Sequence, residues 1–289
     1  MIEDLIRAAL SGPGIGGYLT TYAGEPAVFY QQAPHDLDKA WAAVQYPRID
    51  YNVDWQFDPE RKAAGALLVN VYCLNNQDTA PPEEIGEAIK AQLKDLFLTA
   101  DGETYAMAWG RTDAFGMGGE QEPATIGVTL QFDVLAFPYQ QTAAPDPIEG
   151  ANRWLKRRIP GAKIIGLDAM PDLYRPTAES PALYCRLQSD GSKMRTSYAM
   201  AWMTAAMAIH VFAPDVTARQ QICRDIVGRL SLEAEYAMEN ESPVLVKQTG
   251  VNTGGDPLRM GQIFFTGEYG ILRQEPEFEK LNHADIQRR

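Results

Sequence analysis

Three cysteines in 289 residues leave little room for a disulfide framework or a thiolate metal site. Cys73, Cys185 and Cys223 are widely spaced, odd in number and form no CxxC pair, which predicts reduced, buried thiols. Histidine is as scarce. His35 stands in a polar loop, His210 inside an apolar run and His283 in a charged tail, none with a Cys, His or acidic partner at ligand spacing. The chain carries no GxSxG, HExxH or SxxK pattern. No apolar run approaches the roughly 20 residues that cross a bilayer. The opening MIEDLIRAAL has neither a basic n-region nor a cleavage site, so it does not read as a signal peptide. These absences predict no catalytic residue, no cofactor, no metal and no membrane partner. Carboxylates are plentiful, but runs such as PPEE read as helix N-termini and solvated surface, not as a catalytic pair.

Positive charge is short in one half only. Residues 1–143 hold 8 basic and 20 acidic side chains, and the remainder holds 18 of each, so the net −12 belongs to the first half. A non-specific nucleic-acid binder needs a basic face to displace counterions, and this balance argues against one. Solubility is the plain reading; an acidic surface that repels DNA or orients a partner is the sharper one.

What is present is a plan that occurs twice. IEDLIRAAL has Ile2, Leu5, Ile6 and Leu10 at helical spacing and stops at GPGIGG (Gly12–Gly17). DPIEGANRWLKRRIPG has Asp146 as N-cap and Pro147 at N1, and ends at Pro160-Gly161. PAVFY (26–30) is matched with PALYC (181–185), and GALLVNVYCL (65–74) with AAMAIHVFAP (205–214). A helix follows each central strand, with stripes Ile85, Ile89, Leu93, Leu96 and Ile222, Ile226, Leu230. The offsets are 155 for Ala27 to Ala182, 139 for Leu67 to Ala206, 137 for Ile85 to Ile222 and 134 for Gly127 to Gly261. Order is kept while loops differ, as expected of a tandem duplication.

Both halves close on an alternating strand. Ile126, Val128, Leu130, Phe132 and Val134 point one way, with Thr129, Gln131 and Asp133 opposite; Ile263, Phe265, Tyr269 and Ile271 share a face, with Gln262, Thr266 and Glu268 opposite. The fold expected is α+β: two tandemly duplicated small domains, each a mostly antiparallel sheet packed with helices. The expected divisions are 1–143, 144–274 and a charged C-terminal tail 275–289, with TAAPDP (142–147) as linker. GPGIGG follows a helix instead of opening one after a strand, so it reads as a turn and not a phosphate loop. FGMGGEQ (115–121) and TGGDP (253–257) read as loops before the closing strands.

On DPIEGANRWLKRRIPG, SPALYCRL, AMAIHVFAPD and DPLRMGQIFFTGEYGILR, the second half resembles the tail-terminator (tail-completion) proteins of tailed bacteriophages and prophages. The first half, with PAVFYQQAP, YPRIDYNVD, LLVNVYCLN, PPEEIGEAIKAQL and TIGVTLQFDVLAF, looks like the same module. The resemblance reaches to about Arg273 and rests on a pattern of elements. It implies a non-enzymatic structural virion protein, assembled in the host cytoplasm and located in the virion tail. Such a protein forms a homo-oligomeric ring, a trimer or hexamer here because each chain carries two modules. Its implied partners are itself, the tail tube protein and a head–tail connector or neck protein. DNA passes through the ring without specific binding, and the acidic first module is expected nearer the lumen.

Phe264, Thr266 and Glu268 are interaction candidates because they point off the core face of the last strand, and Arg259 and Met260 because they precede it. Two other readings stand beside this one. One is a different tail tube, neck or baseplate assembly protein, which would assemble elsewhere along the tail. The other is a hydrolase with an unrecognised site, which carboxylate substitution and activity screening would reveal.

Overall fold

The computed structural model describes residues 1–35, 37–56, 63–76, 79–118, 125–138, 144–193 and 200–272. The expected tail 275–289 with His283, Arg273, and residues 119–121 and 142–143 of the expected loop and linker lie outside these.

The first half begins with α1 (Ile2–Leu10), whose buried Ile2, Ile6, Ala9 and Leu10 recur at helical spacing. GPGIGG turns the chain through the single-turn α2 (Pro13–Gly16), and a small ribbon of β1 (Thr21–Tyr22) and β2 (Glu25–Pro26) follows. Then come β3 (Val28–Tyr30), the short α3 (Lys39–Ala42), β4 (Arg48–Trp55) and β5 (Ala63–Leu74). Helix α4 (Pro82–Leu93) starts with Pro at N1 and Glu83 and Glu84 in its first turn, where the helix dipole favours them. Strands β6 (Phe97–Ala100), β7 (Glu103–Met117) and β8 (Thr125–Phe137) close the half.

The second half opens on α5 (Pro147–Arg158). The Asp146 carboxylate accepts from the Ile148 and Glu149 N–H groups at 2.7 and 3.3 Å. After it run β9 (Lys163–Ile164), β10 (Leu173–Tyr174), β11 (Ala182–Ser192) and β12 (Met200–Phe212). Helix α6 (Val216–Glu233), capped by Asp215 on the Ala218 N–H at 2.8 Å, leads to β13 (Glu235–Ala237), β14 (Pro243–Val251) and β15 (Ile263–Leu272).

Two sheets result. Their orders are β10-β6-β7-β8-β5-β4-β3 and β13-β14-β15-β12-β11-β9. With β10 set aside, each position of one sheet has a counterpart in the other, and the β3–β4 and β9–β11 pairs are both parallel in otherwise antiparallel sheets. The penultimate strands even share a bulge, at Trp109/Arg111 and, 137 positions on, at Val246/Gln248. Each half is therefore a sheet with helices on one face, and the fold is α+β with two similar sheet–helix domains.

Register corrects two details of the matching. The topological partner of β11 is β4, so PALYC answers RIDYNVDW, and PAVFY answers the two-residue β9. Further, Val71 pairs with Val128, whereas Ile209, 138 positions on, pairs with Ile263, 135 positions on. The sequence offsets of 139 and 134 are each one residue out. A one-residue slip in a strand exchanges its faces, and it would set buried Leu67 and Phe132 against half-exposed Ala206 and Thr266. In the true register Leu67 answers Ala205, and Val69 with Leu130 answers Met207 with Phe265, all of them buried. The helix offset of 137 holds: Ile89 and Leu93 answer Ile226 and Leu230, buried in both halves.

One core lies under each sheet. Ile6, Leu67, Val69, Val71, Ile85, Ile89, Leu130 and Phe132 belong to the first, and Trp154, Leu155, Met207, Ile209, Ile226, Val244 and Phe265 to the second. The closing strands alternate as expected, with Gln262 the exception. It is buried at 3 % exposure, its amide accepting from Val211 N–H at 2.8 Å and donating to Val211 O at 3.0 Å. A polar side chain is tolerated there because both ends of its amide are satisfied.

Candidate interaction surfaces

A third apolar cluster joins the halves. Phe97, Ala106, Ala108, Leu135 and Phe137 of the first sheet meet Ile165, Ala182, Tyr184, Phe212 and Leu258 of the second half. The first-sheet strand residues among them point away from α1 and α4, so each sheet contributes part of its helix-free face. Phe137 stands edge-on to Phe97, Tyr184 and Phe212 with ring centroids 5.7, 5.3 and 5.5 Å away, and Phe97 meets Phe212 at 4.8 Å. Edge-to-face pairs of this kind add about 0.5–1.5 kcal/mol each beyond area burial. Tyr184 Oη donates to Pro138 O at 2.9 Å, and His210 Nδ1 lies 2.6 Å from Pro257 O. His210 is thus a core histidine, fully buried.

The backbone crosses the boundary as well. Strand β10 adds to the outer edge of β6, pairing Leu173 with Leu98 and Tyr174 with Phe97, and Thr99 N–H donates to Asp172 O at 2.9 Å. The division expected at 143/144 is therefore bridged by a strand of the second half that lies in the first sheet.

The five sequence candidates fall in two places. Phe264, Thr266 and Glu268 alternate along β15 on the helix-free face, half-buried, and their counterparts in the first half are Thr129, Gln131 and Asp133. Phe264 and Thr266 border a shallow hollow of about 190 Å³ with Gln188, Ala206, Gln248 and Gly250. Glu268 holds Lys193 and, at 3.5 Å, Lys247; the Lys193 hydrogen bond is the main reason its carboxyl sits below the usual range. Arg259, exposed, reaches across to the first half, paired with Asp133 of β8 and, at 3.5 Å, with Asp256. Met260 is exposed beside it. Sequence reasoning missed the Phe97–Phe137–Tyr184–Phe212 cluster, whose members lie up to 115 positions apart (Phe97 to Phe212).

A cleft of about 640 Å³ lies between the halves and is bordered by Lys90, Lys94, Asp95, Trp109, Arg219 and Asp256. Burial pushes the Asp95 carboxyl up, against the pull of Lys94, Arg219 and Arg175. No Ser, Thr, Cys, His or Tyr is among the described residues lining it. Among the described residues, no group of three or more His, Cys, Asp or Glu side chains could hold a metal ion.

No family model matches the chain, and no curated protein matches it. What remains is geometry: two like modules joined through their helix-free faces.

The cysteines give a first prediction. All three are buried, and burial raises the thiols of Cys73 and Cys223 to about 11 and that of Cys185 further. The thiolate is the reactive form, so a thiol reagent at pH 8 should label native protein far more slowly than protein unfolded in guanidinium. Labelling of one cysteine at the unfolded rate would count against this burial and reopen a nucleophilic reading.

Proposed function

We propose that this chain is a ring-forming structural protein that acts as a tail terminator, capping a phage or prophage tail tube and joining it to the neck. The observation that carries the reading is the way the two modules meet. The first sheet contributes its β6–β7–β8 end and the second its β11–β12 end, so like modules join through unlike surfaces. A contact between unlike patches generates rings when its rotation closes and filaments when it does not. The resemblance of both halves to terminator modules supports closure. The net −12 of the first module is consistent with a lumen that lets DNA pass without sticking.

Light scattering on the purified chain, followed by negative-stain images of the same peak, tests this. The expected result is a closed ring of three or six chains with a central hole, on its own or on added tail tubes. A chain that stays monomeric in both conditions, or that decorates tubes along their length, would overturn it.

A further inference from the structure

The contact between modules uses one patch of each and leaves the other two without a counterpart. Register locates them. The first-half surface in the contact is Phe97, Ala106, Ala108, Leu135 and Phe137. Phe97 pairs with Ala106 as Ala237 pairs with Pro243, and Ala108 pairs with Asp133 as Leu245 pairs with Glu268. Leu135 and Phe137 correspond to Gly270 and Leu272 at the β15 offset. The equivalent patch of the second half is therefore Ala237, Pro243, Leu245, Gly270 and Leu272. Every member is apolar and none is buried; Leu272 is 71 % exposed where its equivalent Phe137 is 1 % exposed.

The other surface maps in the same way. Tyr184 pairs with His210 and Ala182 with Phe212 in the contact, and Arg48 pairs with Tyr72 in the first sheet. Tyr46, Arg48, Tyr72 and Leu74 thus form the first half's equivalent patch, all half-buried. The Arg48 guanidinium lies over the rings of Tyr72 and Tyr46 at 4.5 and 5.0 Å, and Phe115 stands edge-on to Tyr72 at 5.3 Å. The patch is a preassembled, ring-lined platform at the place where the second half receives Phe137. Backbone agrees with side chains: the outer edge of β6 is covered by β10, while the equivalent edge of β13 carries no strand among the described residues.

We infer that two copies of the chain join by repeating the internal contact. The Ala237–Pro243–Leu245–Gly270–Leu272 patch of one copy packs on the Tyr46–Arg48–Tyr72–Leu74 platform of the next, with Leu272 taking the place of Phe137. The inference deepens the ring reading and rests on it. Every module-to-module step around the ring is then alike, so n chains give 2n near-equivalent modules. Glu268, paired with Leu245, lies at the rim of the contact as Asp133 does inside the chain.

Cysteine pairing tests the contact directly. Phe137 and Phe212 are 5.5 Å apart between ring centroids, and their equivalents are Leu272 and Leu74. Chains carrying Leu272→Cys and chains carrying Leu74→Cys, mixed with a short bismaleimide, should form a cross-linked heterodimer, while neither alone links to itself. Leu272→Asp should weaken association by on the order of 100-fold, as burial of an unpaired charge at a central contact does. Rings that persist in Leu272→Asp, with no cross-link in the mixture, would overturn this contact and leave the ring reading standing. A wild-type chain that stays monomeric alone and with tail tubes, together with no cross-link in the cysteine mixture, would overturn both. Self-linking of the Leu272→Cys chain alone would replace the head-to-tail contact by a two-fold one.

Discussion

Replacing Phe137 by Ala should cost about 3–5 kcal/mol of stability, the usual cost of truncating a buried Phe. Phe137 is 1 % exposed and touches aromatic rings from both halves, namely Phe97, Tyr184, His210 and Phe212. Its removal opens a cavity lined by groups from separate sheets, which are free to shift apart but have nothing else of that size to close upon. The wild-type halves, joined through this cluster and through the β10–β6 pairing, should unfold in one transition. In Phe137→Ala the halves should part, and urea unfolding followed by circular dichroism should show an earlier, broader or split transition. A loss below about 1 kcal/mol would mean that the third cluster does not join the domains.

The second large effect is expected at Gly127. A Cβ there would sit 2.2 Å from Val71 O and 2.3 Å from Phe115 Cζ. Phe115 can swing away, but Val71 O belongs to the backbone of the neighbouring strand, which would have to move. Overpacking of this kind costs about 1–3 kcal/mol, and more where the backbone resists. Phe115 also closes over Tyr72, so Gly127→Ala should disturb the ring-lined platform as well as the fold. Thermal unfolding and light scattering on the same variant read both effects. A melting temperature within about 1 °C of wild type would show that β5 and β8 have slack the geometry denies.

Much of this architecture was legible in the residues. The helices of both halves, the central strands and the alternation of the closing strands follow from spacing, and Asp146 and Pro147 mark a helix start that α5 adopts. The two errors of matching have one origin. PAVFY and PALYC are alike in letters, yet one is a short edge strand beside a parallel neighbour and the other opens a long antiparallel strand. Gly127 and Gly261 are alike too, but the structural equivalent of Gly127 is the buried Gln262, whose amide is satisfied by Val211. Similarity of residues cannot distinguish registers that differ by one, because burial is decided by the strand next door.

By itself, the sequence determined the two-fold plan, the α+β class and the uneven charge, because periodicity, capping residues and composition are local properties. Only the tertiary structure decided how the modules join. Arg259, read from the sequence as an interaction candidate, pairs with Asp133 of the first half, and Leu173 and Tyr174 enter a sheet built by residues far earlier in the chain. Phe97, Phe137, Tyr184 and Phe212 read as four unrelated aromatic residues until two sheets bring their rings within 6 Å of Phe137 or of one another. Burial of that surface depends on pairs distant in the chain, and no local pattern encodes which helix-free face meets which.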